Sequence, residues 1–549
     1  MTALIELTPE LTPLDRYLAD QQSLTAVERF AQCCDAQLLD SRGRSYRDLI
    51  PLERPKPGQQ YAFVVDLDAC TGCKSCVSAC HSLNGLDEGE SWRSVGLLYG
   101  GTTDLPLLQT VTMACHHCVE PACMHGCPVN AYEKDPVTGI VRHLDDQCIG
   151  CGYCVLTCPY EVPVFNEERG IVRKCDLCSD RLEAGEAPAC VQACPTEAIR
   201  VTLVETAAMV EAAEQGEFLV ARGVGAPLPG APPPHFTIPT TRYVTERALA
   251  QDLLSGDHFD VRPGKPHTPL AVMLVLTQLS VGAFVADLGL RAAGGHVATP
   301  RPVNALAALA LGLLALGASV AHLGRPFYAF RAVIGIRRSW LSREIVAFTA
   351  FAALAAVYAG ALLVRPGGSQ TALLLLGALV GLTGIAGVAC SVMIYAVTSR
   401  VWWRARVTSV KFALTSIVCG LAAVLTTSPS RLLAGLLAAA CATKLGWEAT
   451  IFRHLRDPRP PAGGDPVTDL GRTARLLSRE LRPVTLWRFG VGTVGGVLLP
   501  LLILAGVLPP LLLAMAASSS FVAVVAGELL ERWQFFTACT APRMPGGLR

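Results

Sequence analysis

Sixteen of the 22 cysteines fall into four tetrads between Cys70 and Cys194. Cys70, Cys73, Cys76 and Cys80 are spaced C-x2-C-x2-C-x3-C. Cys115, Cys118, Cys123 and Cys127 follow as C-x2-C-x4-C-x3-C, with Pro128 next. Cys148, Cys151, Cys154 and Cys158 repeat the first spacing before Pro159. Cys175, Cys178, Cys190 and Cys194 carry an 11-residue gap and end at Pro195. Sulfide-bridged iron needs four thiolates per cubane. A tight C-x2-C-x2-C turn presents three of them to one cluster, and a cysteine just before proline reaches the neighbouring cluster. Sixteen ligands therefore predict four [4Fe–4S] clusters in two coupled pairs.

Two other chemistries use cysteine pairs. Structural zinc binds C-x2-C, but zinc sites rarely place three cysteines in seven residues with a fourth before proline. Disulfides need an oxidising compartment and a secretory signal. Residues 1–32 mix acidic and apolar residues, with no apolar h-region and no twin arginine, so no export signal is expected. Cys33 and Cys34 sit on an amphipathic helix expected at about Thr25–Gln37. Adjacent thiols face opposite sides of a helix, which reads them as non-ligands.

The elements that must position the tetrads divide at about residue 268. At 549 residues the chain exceeds one core. A net charge of +1 gives no basic stripe, which excludes a nucleic-acid binder. Hydrophobic content of 51% against 17% charged is membrane-like on average. The sequence reads as an α+β ferredoxin-like domain with four clusters, followed by an all-α, eight-helix integral membrane domain. Residues 1–55 are expected as an arm and 56–205 as the cluster domain. Residues 206–267 are expected as a linker whose Pro/Gly-rich stretch, 222–240, runs extended as a surface strap. Residues 268–536 form the membrane part and 537–549 a tail.

Eight apolar runs near the ~20 residues needed to span a bilayer are predicted at 269–290, 303–323, 344–364, 371–396, 408–427, 431–451, 487–508 and 509–531. The segments after the second, fourth and sixth runs carry 17 Arg and Lys residues, from Arg325 to Arg488. The opposite loops carry only Arg291, Arg301, Arg365 and Arg431. Positive residues stay inside, so the cluster domain is expected to face the cytoplasm from the inner membrane. Trp340, Trp402, Trp403, Trp487 and Trp533 are expected as an interfacial belt on that side. The membrane half has four histidines, His267, His296, His322 and His454, and no pair matched in depth within the spans. A bis-histidine haem is therefore not expected. Electrons must pass directly from a cluster to a carrier dissolved in the membrane, read as a quinone (menaquinone or ubiquinone).

The tetrads and the stretch KCDLCSDRLEAGEAPACVQACP (174–195) resemble the four-cluster B subunit of dimethyl sulfoxide reductase-type molybdoenzymes. The stretches AHLGRPFYAFRA (321–332), SWLSREI (339–345) and GELLERWQFF (527–536) are similar to the eight-helix C subunit of that family, its quinone-binding anchor. The resemblance implies a B–C fusion. It also implies crossed ligand sets: Cys70, Cys73, Cys76 with Cys194; Cys175, Cys178, Cys190 with Cys80; Cys115, Cys118, Cys123 with Cys158; and Cys148, Cys151, Cys154 with Cys127. Cys80 departs from the pattern in preceding His81 rather than proline. The family further implies a separate molybdopterin-containing catalytic subunit as partner. The cytoplasmic orientation favours oxidation of a small sulfur oxyanion, with electrons going to quinone, as in related sulfite dehydrogenases. Quinol-driven reduction of dimethyl sulfoxide or another S- or N-oxide is the alternative. An electron-relay module for a non-molybdenum partner is a third reading.

The quinone site is expected at His322, Arg325 and Glu344. Gly324-Arg325-Pro326 can end a helix and open a pocket. Histidine suits proton exchange near neutral pH, and a carboxylate inside a membrane is costly unless paired or functional. The competing reading is that His322 caps a helix and Glu344 pairs with Arg343 or Arg325. Lys444 and Glu448, four apart, read as a structural ion pair.

Overall fold

The structure is a computed structural model that describes residues 12–23, 46–101, 106–247, 249–250, 253–292, 301–364, 370–458, 468–541 and 543–546. The helix expected at Thr25–Gln37, with Cys33 and Cys34, lies outside the described residues, as do His296, Arg365 and Arg459.

The cluster half is built on short strands: β1 (Gln59–Asp66), β2 (Ser94–Gly101), β3 (Pro106–Met113), β4 (Tyr132–Lys134), β5 (Val141–His143), β6 (Val164–Asn166), β7 (Ile171–Arg173), β8 (Ile199–Glu205), β9 (Leu219–Ala221), β10 (Val224–Ala226), β11 (Arg242–Thr245) and β12 (Leu254–Ser255). The β1 sequence QQYAFVVD is aromatic and β-branched and is buried on both faces, which suits a central strand. It pairs antiparallel with β8 and parallel with β11, in a sheet of order β10-β9-β11-β1-β8. A second sheet has the order β12-β2-β3. Hairpins β4–β5 and β6–β7 follow the second and third tetrads, so the repeat in the cysteines is also a repeat in the fold.

Residues 206–267 do more than connect. They supply β9, β10 and β11, because β1 needs a partner on its second edge. The proline-rich stretch between β10 and β11 runs over the second tetrad. There Val119 N–H donates to the Ile238 carbonyl (2.8 Å) and Thr237 to the Tyr160 hydroxyl (3.1 Å).

Among the described residues, eight helices are long and apolar enough to cross a membrane. They are α1 (Thr268–Ala292), α2 (Arg301–Ala321), α3 (Trp340–Val364), α4 (Gln370–Ala396), α5 (Ala405–Thr427), α6 (Arg431–Ala449), α7 (Arg482–Ala505) and α8 (Pro510–Thr537). The two-part fold class expected from sequence is the one observed. Helix α1 is the hub, with 67% of its apolar window buried against its neighbours. It crosses α5 where Gly282 faces Gly420, a small-residue contact that lets two backbones touch.

Three details differ from expectation. Helix α7 starts at Arg482 and stops at Ala505, because Gly506 takes a left-handed conformation (φ 71°) that ends it early. An amphipathic helix, Asp469–Ser478, precedes it, capped by the Thr468 hydroxyl. Trp402 and Trp403 are not interfacial but buried. The Trp403 indole stacks on Phe535 and donates to its carbonyl (2.9 Å).

The chain closes on itself. Gly264 N–H donates to the Thr537 carbonyl at the end of α8 (2.8 Å). Beyond it the tail returns to the cluster half: Leu97 N–H on β2 donates to the Gly546 carbonyl (3.0 Å), and Arg543 pairs with Asp257 (2.6 Å).

Candidate cluster sites and the membrane junction

Each tetrad is shaped by the same backbone device. The residue before its second cysteine is left-handed in all four cases: Gly72 (φ 73°), His117 (φ 41°), Gly150 (φ 69°) and Leu177 (φ 62°). That single conformation turns the chain so that successive thiols converge on one side. The three Cys-Pro corners share a second device. Asn130, Glu161 and Glu197, each three residues after the cysteine, are also left-handed. The next amide then points back at sulfur, as Ala131 N–H does to Cys127 Sγ (3.2 Å) and Ala198 N–H to Cys194 Sγ (3.3 Å). Cys80 has no proline after it and lies instead in the helix Ser75–Leu83, where the Asn84 amide donates to its sulfur (3.5 Å).

The thiols gather into four groups. Cys70, Cys73, Cys76 and Cys194 line one small cavity. Cys115, Cys118, Cys123 and Cys158 line another. Cys80 is pushed up to about 12, by burial first and then by Cys190 and Cys178 beside it, and Cys175 is raised by burial, then by Cys115 of the neighbouring group, Cys80 and Cys178. Cys151 and Cys154 are raised by burial and by Cys127 and Cys148. Each group joins three cysteines of one tetrad to one of another. No three His, Cys, Asp or Glu side chains among the described residues come close enough to share a single ion. The thiols surround spaces rather than points.

Buried cations stand between the groups. Arg93 is 2% exposed, bonds Thr112 through Nη1 (3.2 Å), and has Nε and Nη2 without hydrogen-bond partners. Burial opposes its charge, but Cys190, Cys76, Cys175 and Cys80 outweigh that and hold it above its ordinary value. Arg93 thus lies between the Cys70 group and the Cys175 group. Lys174, raised in spite of burial by Cys115, Cys123 and Cys175, lies between the Cys175 group and the Cys115 group. Tyr132, raised by burial and by Cys154 and Cys123, lies between the Cys115 group and the Cys148 group. The four groups form a row, with the Cys73 end exposed and the Cys151 end against the membrane half.

The junction is made by the segment between α2 and α3. Gly324 N–H donates to the Gly150 carbonyl (3.2 Å), Arg325 N–H to Ile149 (3.0 Å) and Gly335 N–H to Pro128 (2.8 Å). A Cβ on Gly324 would overlap the Gly170 carbonyl, so only glycine lets these backbones meet. Ser339 donates to the Gly126 carbonyl (2.7 Å), and Tyr153 donates to the Ile394 carbonyl at the end of α4 (2.9 Å).

The three residues expected at a quinone site separate here. His322 hydrogen-bonds the Cys151 backbone, and burial holds its imidazole below the ordinary value. Arg325 is drawn away into docking, donating to the Asp145 carbonyl (2.9 Å). Glu344 is 3% exposed, accepts from Ser391, and pairs with no cation among the described residues. Arg343, its expected partner, donates to the Ile336 and Arg337 carbonyls instead. Tyr153, between Cys151 and Cys154, sits beside Glu344, and burial together with that charge raises its phenol. His267 packs its ring 5.5 Å from His322 and is held down to about 4 by burial and by His322. Tyr153, Ser391 and His267 escaped sequence reasoning, because their place depends on contacts between segments far apart in sequence, such as Tyr153 with Ile394, 241 residues away. A shallow apolar crevice lies one turn along α3 from Glu344, lined by Thr277, Leu309, Gly312, Leu316, Phe348, Phe351 and Ala352.

Comparison with known proteins bears on both halves. Residues 108–203 match the 4Fe-4S dicluster domain, and residues 261–437 match the DMSO reductase anchor subunit (DmsC). The thiosulfate reductase electron transfer subunit PhsB of Salmonella typhi is 40% identical over 144 residues, which is 26% of this chain and 74% of that protein. The B subunit of the anaerobic dimethyl sulfoxide reductase of Escherichia coli is 38% identical over 148 residues, 26% of this chain and 72% of that protein. The formate dehydrogenase iron-sulfur subunit of Haemophilus influenzae is 36% identical over 159 residues, covering 26% and 51%. The chain belongs to the iron–sulfur subunits of the dimethyl sulfoxide reductase type, fused to that family's membrane anchor.

In this fusion the two units meet at the loop between α2 and α3 of the anchor. Replacing Gly324 with Val should force that loop off the cluster domain. We expect a cost of about 1–3 kcal/mol, read as a lower Tm of the detergent-solubilised protein.

Proposed function

We propose that this chain carries electrons through four [4Fe–4S] clusters between a separate molybdopterin-containing catalytic subunit and a quinone in the membrane. The observation that carries the reading is the row of four thiol groups, open at the Cys73 end and closed against His322 at the other. The donor set fits the cofactor. Four thiolates gathered around one space repel one another, and a cationic iron core relieves that repulsion. The N–H groups aimed at Cys127, Cys194 and Cys175 are the bonds that tune such clusters. The clusters would be held by Cys70, Cys73, Cys76 and Cys194; by Cys175, Cys178, Cys190 and Cys80; by Cys115, Cys118, Cys123 and Cys158; and by Cys148, Cys151, Cys154 and Cys127. When bound, they supply one-electron transfer. The protein's part is to fix their spacing, hold cations between them and exclude water.

The quinone site in this reading is formed by His322 and Glu344. Arg325 shapes the site by pinning the loop rather than by touching the carrier. A buried carboxylate with no cation beside it is expensive in a membrane and marks proton exchange. The substrate belongs to the catalytic partner. The positive loops favour a cytoplasmic cluster domain and, with it, oxidation of a small sulfur oxyanion. Quinol-driven reduction is the second reading, supported by the thiosulfate and dimethyl sulfoxide reductase relatives.

Anaerobically purified protein should contain about sixteen irons per chain with matching sulfide. Stoichiometric zinc without visible thiolate-to-iron absorption would defeat the cluster reading. A reporter fused after Arg549 should read as cytoplasmic, and an external signal there would reverse the orientation. In the assembled complex, His322→Ala should lower quinone-linked turnover on the order of 10²-fold while turnover with an artificial dye persists. Equal rates in both assays would remove His322 from the site.

A further inference from the structure

Seven charged side chains from α5, α6, α7 and α8 meet inside the membrane half, none more than 8% exposed: Lys411, Lys444, Glu448, Arg488, Glu528, Glu531 and Arg532. Four cations face three carboxylates. They divide into two groups of different character. Lys444 and Arg488 balance Glu448 and Glu528. Lys444 lies 3.1 and 3.2 Å from the two carboxylates, and Arg488 clasps Glu448 through two 3.0 Å bonds and reaches Glu528 at 2.8 Å. No buried polar atom of these four lacks a hydrogen bond. This group is neutral, as a structural ion cluster should be, and the Thr415 hydroxyl, which donates to Glu528 (2.7 Å) and accepts from Lys444 and Arg532 (3.1 Å each), links it to the remaining charges.

The second group is not neutral and is open at several polar atoms. Lys411 (3.1 Å) and Arg532 (3.5 Å) share the single carboxylate of Glu531, leaving one positive charge in excess. Among the described residues Arg532 Nε and Nη1 and Gln278 Nε2 find no hydrogen-bond acceptor, although they are buried, and Glu531 is held by its two ion pairs alone. An uncompensated buried charge is costly, and it is relieved when one proton leaves. Arginine keeps its proton at any accessible pH, so the proton that can leave is on Lys411. Lys411 lies in the second turn of α5, with Nζ 3.8 Å from the centre of the Trp402 ring. The charged groups facing it are Glu531, Glu448 and Lys444, and Cys539 adjoins it together with Arg400 and Asp469.

The open group points toward the quinone site. Arg532 lies over the rings of Phe412 (4.1 Å) and Phe535 (5.4 Å). Tyr395 packs on the same two rings at 6.0 and 5.1 Å. One turn back on α4, Ser391 donates to Glu344.

We propose that Lys411, Glu531 and Arg532 form a proton relay that serves the quinone through Tyr395, Ser391 and Glu344, with Lys411 as the group that gains and loses the proton. The proposal rests on the quinone site described above. Reduction of one quinone takes two electrons from the clusters and two protons. The relay hands on protons one at a time: the Lys411 ammonium becomes an amine and is reprotonated from the aqueous side where the cluster domain sits. Quinol oxidation runs the same steps in reverse. Arg532 stays charged throughout and holds the Glu531 carboxylate in place.

The test compares Lys411→Arg, Lys411→Met and Glu344→Gln in membranes holding the assembled complex. Arginine keeps the charge and the pairing with Glu531 but cannot release a proton. Both Lys411 variants should retain iron content and dye-linked turnover, lose about tenfold or more of quinone-linked turnover, and show a larger solvent deuterium isotope effect on what remains. Full quinone-linked turnover in Lys411→Arg, with an unchanged isotope effect, overturns the relay. So does a loss matched by dye-linked turnover and iron content, which makes the residue structural. Loss in Glu344→Gln with none in Lys411→Arg overturns the relay and leaves the quinone site standing. No loss in Glu344→Gln overturns the quinone site and the relay with it.

Discussion

Contact between two main chains, without side chains between them, is the constraint from which the rest follows. Gly150 and Gly170 on the cluster side meet Gly324 on the membrane side. Because no Cβ intervenes, the loop leaving α2 can exchange backbone hydrogen bonds with the loop that carries Cys148 and Cys151. That contact sets His322 against Cys151 and brings Tyr153 to Glu344. Ser339, Gly335 and Arg325 then repeat the attachment over the next turns. A single bulky residue at the glycine contact would move the carboxylate, the histidine and the last thiol group apart together.

Both halves solve the same electrostatic problem in different ways. The cluster half gathers thiols that repel one another when ionised, and it answers with Arg93 and Lys174, each buried between two groups. The membrane half buries charges of both signs. There Lys444, Glu448, Arg488 and Glu528 neutralise one another, while Lys411, Glu531 and Arg532 do not. Buried charge is tolerated where a partner or hydrogen bonds compensate it. Compensation is incomplete at Glu344, which has no cation beside it among the described residues, and in the Lys411 group, where two cations share one carboxylate.

The tetrads and the apolar spans were legible because their signals are local. A C-x2-C-x2-C run or about twenty apolar residues can be read without knowing what lies across the fold. The left-handed residue before each second cysteine was only partly legible: Gly72 and Gly150 announce it, whereas His117 and Leu177 do not. Non-local pairings were illegible. Nothing in residues 219–245 marks them as sheet partners of β1, and Lys444 with Glu448 reads as an isolated i,i+4 pair until Glu528 and Arg488 arrive from two other helices. Trp402 and Trp403 looked interfacial by position and proved to be core, because the turn before α5 folds inward against Phe535. Arg325 shows the same limit, for its charge is spent on the Asp145 carbonyl, 180 residues away in sequence.

The returning tail gives the fusion a further property. The cluster half is attached to the anchor covalently before α1 and again, without a covalent bond, after α8, where Gly546 lies beside β2 and Arg543 holds Asp257. The eight helices thus form one long loop whose two ends close on the same domain. In such a ring, opening either attachment leaves the partners at high effective concentration, so the detached end rebinds rather than diffuses away. Two polypeptides with the same interface would separate on dilution, whereas this chain carries its own stoichiometry and its own re-docking into the membrane.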